Sequence, residues 1–251
     1  MSIRTSSPTT LAIELPPPFR LVTLREVGDA FAHAVANAGE EGAGTLVYVG
    51  RFDLAEFAVV LEPEEPLRTA RRTIYAGMSA LADALIVQAP PNMPIEIAWP
   101  DTINVNGGLV GGGRLAWPEG ADENEPPQWL VFGAMIRLVS LAEGEAGLHP
   151  LTSALEDEGF DDLASDRMLE IFSRHLMVTL DAWQQYGFSA VTKSYLPRLA
   201  PHPEKGVRRD IDENGDLLLR RMGKVEVERH KLVPALLQPG WYDPKTRGPR
   251  A

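Results

Sequence analysis

Cysteine is absent from all 251 residues, which excludes disulfides, thiolate metal ligands and any cysteine nucleophile. Lysine is almost as restricted. All five lysines (Lys193, Lys205, Lys224, Lys231, Lys245) lie at or beyond position 193, so arginine is the only fixed side-chain cation of the first 192 residues. Bases are scarce overall: 24 Lys and Arg stand against 35 Asp and Glu, a net charge of −11. That acid excess argues against non-specific attraction to DNA or to an anionic membrane, so neither nucleic acid nor membrane is expected as a partner. No apolar run approaches the roughly 18 residues of a membrane helix. The Ser/Thr/Pro-rich start lacks the apolar stretch of a secretory signal. A cytoplasmic location is the expectation.

What is present is an ordinary globular composition, 44% apolar and 24% charged. It suffices for one domain of about 150 to 200 residues and a small second one. Charge divides the chain. Residues 201–251 hold 11 basic and 8 acidic residues, whereas residues 1–200 hold 13 and 27. The proline pair Pro201 and Pro203 marks the junction. The expected organisation is an N-terminal extension over 1–18, a main domain over 19–200, a small β module over 201–237 and a loosely ordered tail over 238–251.

Apolar periodicity places the elements. Val27, Ala30, Phe31, Ala34, Val35 and Ala38 recur at helical spacing. Thr45–Val49 and Phe57–Leu61 read as strands, and Leu67 through Leu85 as one long helix ending before Pro90. Ile95–Trp99, Ile103–Val105 and Leu109–Trp117 read as strands, with Asn106-Gly107 as the hairpin turn between the last two. Trp129–Val139 is a further strand, and Met168 through Trp183 the last long helix. Helices interspersed with hairpins point to an α+β fold followed by a small β module.

Several generic motifs fail on inspection. Gly111-Gly112-Gly113-Arg114-Leu115-Ala116 matches a relaxed dinucleotide pattern but leads into a strand, which leaves no helix N-terminus for a pyrophosphate. Asp210 to Asp216 imitates the start of a calcium loop, yet position 12 is Arg221 instead of glutamate. The five histidines show no metal-binding spacing, so no metal site is expected.

One stretch rises above this background: Ile95-Glu96-Ile97-Ala98-Trp99-Pro100-Asp101-Thr102-Ile103, running on through Asn106-Gly107 to Gly111-Gly112. It resembles the signature of the biotin/lipoate protein ligase family, Lys-Trp-Pro-Asn-Asp followed by a strand, a tight turn, a lysine and Gly. The flanking order of elements agrees over roughly residues 19–235. The resemblance implies a class II synthetase-like mixed sheet with helices and a small C-terminal SH3-like barrel. It also implies activation of a carboxylate such as biotin or lipoate by ATP and Mg to an acyl-adenylate, and transfer to a lysine of a carrier-domain protein.

The departures from that pattern are specific. The signature's first Lys is Ala98, and its phosphate-facing Lys falls at Leu109, or at Gly108 if the turn is counted differently. The family's Gly-Arg-Gly-Arg-type loop is shortened to Gly50-Arg51-Phe52-Asp53-Leu54. Its Ser-Thr-Asn helix opening is replaced by Arg25-Glu26-Val27-Gly28-Asp29, and the Asn of its Gly-x-Gly-x-Asn strand is Arg137. Two readings follow. In the first, arginines replace the lost lysines, because a guanidinium binds phosphate and carboxylate bidentately. Asp101, Arg51 and Arg137 are then the candidate catalytic residues, and Trp99, Pro100, Gly111, Gly112, Gly113 and Arg114 the candidate cofactor-binding ones. Arg51, Arg114 and Arg137 should then converge on one groove. In the second, the chain is a non-catalytic ligand- or protein-binding module. The triple glycine fits either, since glycine weakens a strand unless something approaches its backbone closely.

Overall fold

In a computed structural model of the chain, the described residues are 13–140, 151–161 and 164–250, so most of the expected loose N-terminal extension lies outside them. The elements run β1 (Arg20–Leu24), α1 (Ala30–Glu41), β2 (Thr45–Gly50), β3 (Leu54–Leu61), α2 (Leu67–Ala70), α3 (Thr73–Gln88), β4 (Ile95–Ala98), β5 (Thr102–Val105), β6 (Gly108–Ala116) and β7 (Leu130–Arg137). After them come α4 (Ser165–Tyr186), α5 (Phe188–Tyr195), β8 (Val207–Ile211), β9 (Leu217–Arg221), β10 (Val227–His230), α6 (Leu232–Leu237), β11 (Tyr242–Asp243) and β12 (Gly248–Pro249).

Seven strands form one mixed sheet in the order β1-β2-β3-β7-β6-β5-β4, antiparallel except for the β1–β2 pair. The α+β expectation holds. On one face Leu46, Phe57, Val59, Phe132, Ala134 and Leu115 meet α3 and α4 in the main core. Helix α3 is buried at nearly every position from Thr73 to Leu85, which is why its apolar residues surround the axis instead of forming a stripe. Helix α4 is amphipathic and buries Met168, Leu169, Phe172 and Leu176 at the expected spacing. On the opposite face Ala30, Ala34 and Ala38 of α1 pack on Val47, Val49, Ala58 and Val60. Their small side chains let that helix lie close to the sheet.

The structure refines several boundaries. The helix expected from Leu67 breaks at Arg71 and Arg72, where each guanidinium leaves the helix to pair with Glu123 and Glu65 respectively. Strand β1 and helix α5 are additional elements. Asn106 and Gly107 both take positive φ, 51° and 84°, the requirement of a tight hairpin turn. The C-terminal module is a three-stranded antiparallel sheet, β10-β9-β8, followed by α6. Closure of these strands into a barrel is not seen among the described residues. Leu217, Leu219, Leu232 and Leu236 pack against the main core.

The largest difference concerns the tail. Residues 238–250 lie against the α1 face of the sheet, with Trp241 fully buried. Its indole N–H donates to the Gly113 carbonyl at 3.1 Å. A Cβ on Gly112 would lie 2.6 Å from Trp241 Nε1, so an alanine there and the indole exclude one another. Gly113 is filled from the other face, by Met78 and Phe132. What approaches the triple glycine is therefore the chain itself: the Met135 carbonyl at Gly111, the Asp101 carbonyl and the Trp241 indole at Gly112, and Met78 with Phe132 at Gly113. Trp241→Ala should lower stability by about 3–5 kcal/mol, the cost of emptying a buried aromatic site. Denaturant titration followed by fluorescence checks this, and a cost below about 1 kcal/mol would mean the tail is not an integral layer.

Candidate functional site

A cavity of about 420 Å³ opens between the start of α1 and the β2–β3 turn. Its floor is Glu56, the only charged residue in the apolar run of β3 and only 3% exposed. Glu56 Oε1 accepts the Ala30 backbone N–H at 2.8 Å, at the first turn of α1. Burial pushes the Glu56 carboxyl above its ordinary range, with that backbone bond opposing the shift. Asp29 caps the same helix, its Oδ1 accepting from Ala32 N at 2.8 Å. Two orphan donors of α1 are thus met by carboxylates that also border the cavity.

The turn supplies Arg51 and Asp53, locked together by two hydrogen bonds (Nε–Oδ1 2.9 Å, Nη2–Oδ2 2.6 Å). This pairing holds the Asp53 carboxyl below its usual range. Arg51 Nη1 also stands 4.0 Å from Glu56 Oε2. Arg114, on β6, lies between two rings, with Cζ 4.3 Å from the Phe31 centroid and 4.1 Å from that of Tyr242. Its Nη2 is 4.0 Å from Asp29 Oδ1. Glu26, Val27, Gly28, Phe52, Thr246 and Arg247 complete the cavity wall.

The structure therefore brings Arg51 and Arg114 to one acidic centre, Glu56 with Asp29. Arg137 does not join them. Its guanidinium donates to the carbonyls of Pro249 and Arg250 at 2.8 and 2.9 Å, and to that of Ser153 at 3.3 Å. Trp99, Pro100 and Asp101 occupy the β4–β5 turn, where they meet the small module and α5. Trp99 Nε1 donates to Tyr75 Oη, and Tyr195 Oη donates to the Pro100 carbonyl across a cis Trp99–Pro100 bond. Asp101 is 2% exposed, and its side chain is bonded by Thr102 Oγ1 at 3.3 Å with no ion pair among the described residues. Burial raises its carboxyl to about 7. Its carbonyl accepts from Gly113 N at 2.8 Å, tying the turn to the triple glycine.

Comparison with known proteins decides the family. A model described as the biotin/lipoate A/B protein ligase family matches residues 15–197. The chain belongs to that family. A biotin–[acetyl-CoA-carboxylase] ligase of Paracoccus denitrificans is 26% identical over 200 residues, covering 74% of this chain and 80% of the ligase. A biotin protein ligase-like protein of unknown function from Silicibacter sp. superimposes with a TM-score of 0.75 at 27% identity, over 90% of this chain and all of the other. A mutant biotin protein ligase of Aquifex aeolicus in complex with biotin shares the fold, with a TM-score of 0.63 at 14% identity over 86% and 97% of the two chains.

Within the family frame, the two positions that the resemblance gives to the phosphate-facing lysine become informative. Leu109 packs on an apolar cluster of Leu54, Met135 and Trp241, with Tyr242 alongside. Gly108 sits against Ser153, which a Cβ would approach to 2.7 Å. Glu56, Trp241 and Arg247 were not singled out in the sequence. A lone glutamate within Leu54–Leu61 and an aromatic pair, Trp241-Tyr242, in a polar tail are the signals that mark the first two.

Asp101 provides a pH test. Its carboxyl keeps a proton up to about pH 7 in the folded state, but loses it near pH 4 in the unfolded chain. The folded state therefore binds the extra proton between those values, and stability falls as pH rises through that window. Asp101→Asn should remove this slope, leaving the variant more stable than the parent at pH 8 relative to pH 4, on the order of a few kcal/mol. Urea titrations at both pH values measure it; parallel pH profiles for parent and variant would mean that Asp101 ionises normally.

Proposed function

We propose that this chain is a non-activating member of its family, which binds a small carboxylate of the biotin kind in the cavity beneath α1 and does not couple that binding to ATP. The observation that carries this reading is the Leu109 cluster. Where the resemblance places a lysine for phosphate, an indole and three apolar side chains fill the space. Phosphoryl chemistry depends on cations and backbone donors facing the developing charge. Arg51 is committed to Asp53, Arg114 to Asp29 and two rings, and Arg137 to the tail carbonyls. The cavity wall itself carries Glu26, Asp29, Asp53 and Glu56, an unfavourable field for a polyanionic nucleotide.

The same field suits a neutral head rich in N–H donors. A buried carboxylate accepts such donors strongly, and hydrogen bonds to a charged group contribute about 1.5–3 kcal/mol each. Biotin's cyclic urea offers two N–H groups, and the dithiolane ring of lipoate offers none. The arginine-substituted ligase is the second reading, favoured by the approach of Arg51 and Arg114 to one centre.

Thermal unfolding with each ligand separates the two. Biotin at 100 times its dissociation constant should add about 2.7 kcal/mol, a rise of roughly 5–10 °C for a chain of this size. Lipoate and octanoate should give less, and ATP–Mg should add nothing. Glu56→Gln, which keeps an acceptor for Ala30 N, should weaken biotin about tenfold or more. Biotin-dependent exchange of labelled pyrophosphate into ATP would overturn the non-activating reading. Silence with every ligand would leave the protein-binding module as the surviving alternative.

A further inference from the structure

One wall of the cavity comes from residues beyond 15–197, the span that the family model matches. Strands β11 and β12 form a short hairpin whose tip carries Thr246 and Arg247, and both residues line the cavity opposite Glu56 and the Arg51 turn. The hairpin is fixed at its base. Trp241 is fully buried, Arg250 N donates to the Trp241 carbonyl at 2.8 Å, and Arg137 grips the Pro249 and Arg250 carbonyls. Arg247 itself takes φ +54°, a left-handed conformation that costs a non-glycine residue energy and that the surrounding hairpin must impose.

We propose that Arg247 is a ligand-binding residue, the cation that receives the carboxylate of the molecule held in this cavity. This rests on the reading that the cavity takes a small carboxylate. The argument is one of charge and position. Four carboxylates line the cavity against two guanidiniums, Arg51 and Arg247. Arg51 is neutralised by its two bonds to Asp53. Arg247 makes no ion pair among the described residues, so it alone in the wall has its charge uncommitted. A carboxylate placed anywhere deeper would face Glu56 and Asp29; placed at the mouth, it meets Arg247. Val27 and Phe52 stand at the same mouth, 91% and 69% exposed, although both are large and apolar. They offer contact to an aliphatic chain joining an N–H-bearing head at Glu56 to a carboxylate at the hairpin tip. The tail thus brings an unpaired cation to the cavity from the far end of the chain, while Arg51 of the β2–β3 turn is held by Asp53.

The test compares biotin with biotinamide, its neutral amide, on the full chain by calorimetry or competitive binding. The parent should prefer the acid about tenfold, and the preference should shrink as salt rises. Arg247→Gln should lose that preference while binding biotinamide within about twofold of the parent, and Arg247→Lys should recover part of it. Unfolding midpoints should be unchanged, because the Arg247 side chain is exposed and unpaired. Equal binding of acid and amide by the parent, or an acid preference that survives Arg247→Gln, overturns the role of Arg247 and leaves the ligand cavity standing. Failure of the parent to bind either compound overturns both.

Discussion

The seat of Trp241 on β6 is the contact on which the site depends. The indole approaches β6 by its N–H edge, which donates to the Gly113 carbonyl, and the missing Cβ of Gly112 leaves room for that edge. Full burial of an aromatic of this size contributes several kcal/mol, enough to hold a short hairpin that has only two residue pairs of its own. With the indole in place, Tyr242 is positioned over Arg114, Arg137 finds the Pro249 and Arg250 carbonyls, and the hairpin tip is delivered to the cavity. A glycine in the middle of the sheet and a tryptophan near the C-terminus are thereby one feature.

A second constraint is electrostatic. Helix α1 ends on the sheet with free N–H groups, and these are satisfied by Asp29 and Glu56. That solution stabilises the helix and places two carboxylates at the border of the cavity. Arg51 and Arg114 then serve to balance acids instead of standing free for phosphate. The polarity of the cavity follows from how the helix is capped, which is a local matter, more than from any long-range design.

Much of the fold was legible. Alternating and continuous apolar runs located β2, β3, β6 and β7, and Asn106-Gly107 fixed one hairpin, because those signals depend on neighbours close in sequence. The Trp99-Pro100 stretch and its flanking order were enough to indicate the family. The site was less legible. Arg51, Arg114 and Arg137 were visible as arginines near glycines, but whether each is free or engaged is set by Asp53, by Asp29 and by tail carbonyls more than a hundred residues away from Arg137. The tail read as loose because proline, glycine and charge dominate it; its order comes from a tertiary slot, which local composition does not encode. Strand β1 was missed for a related reason, since five residues at a sheet edge are defined by the partner strand more than by their own pattern.

The apolar residue at the position that the resemblance gives to a lysine and the seat of the tail are also linked energetically. Leu109 now packs on Leu54, Met135 and Trp241. Leu109 is only partly buried, so a lysine in its place could lay its stem along this surface and keep its ammonium in water, at the cost of the leucine's apolar contact. The seat of Trp241 therefore favours an apolar residue at position 109, and one wall of the cavity is built by the hairpin that Trp241 anchors.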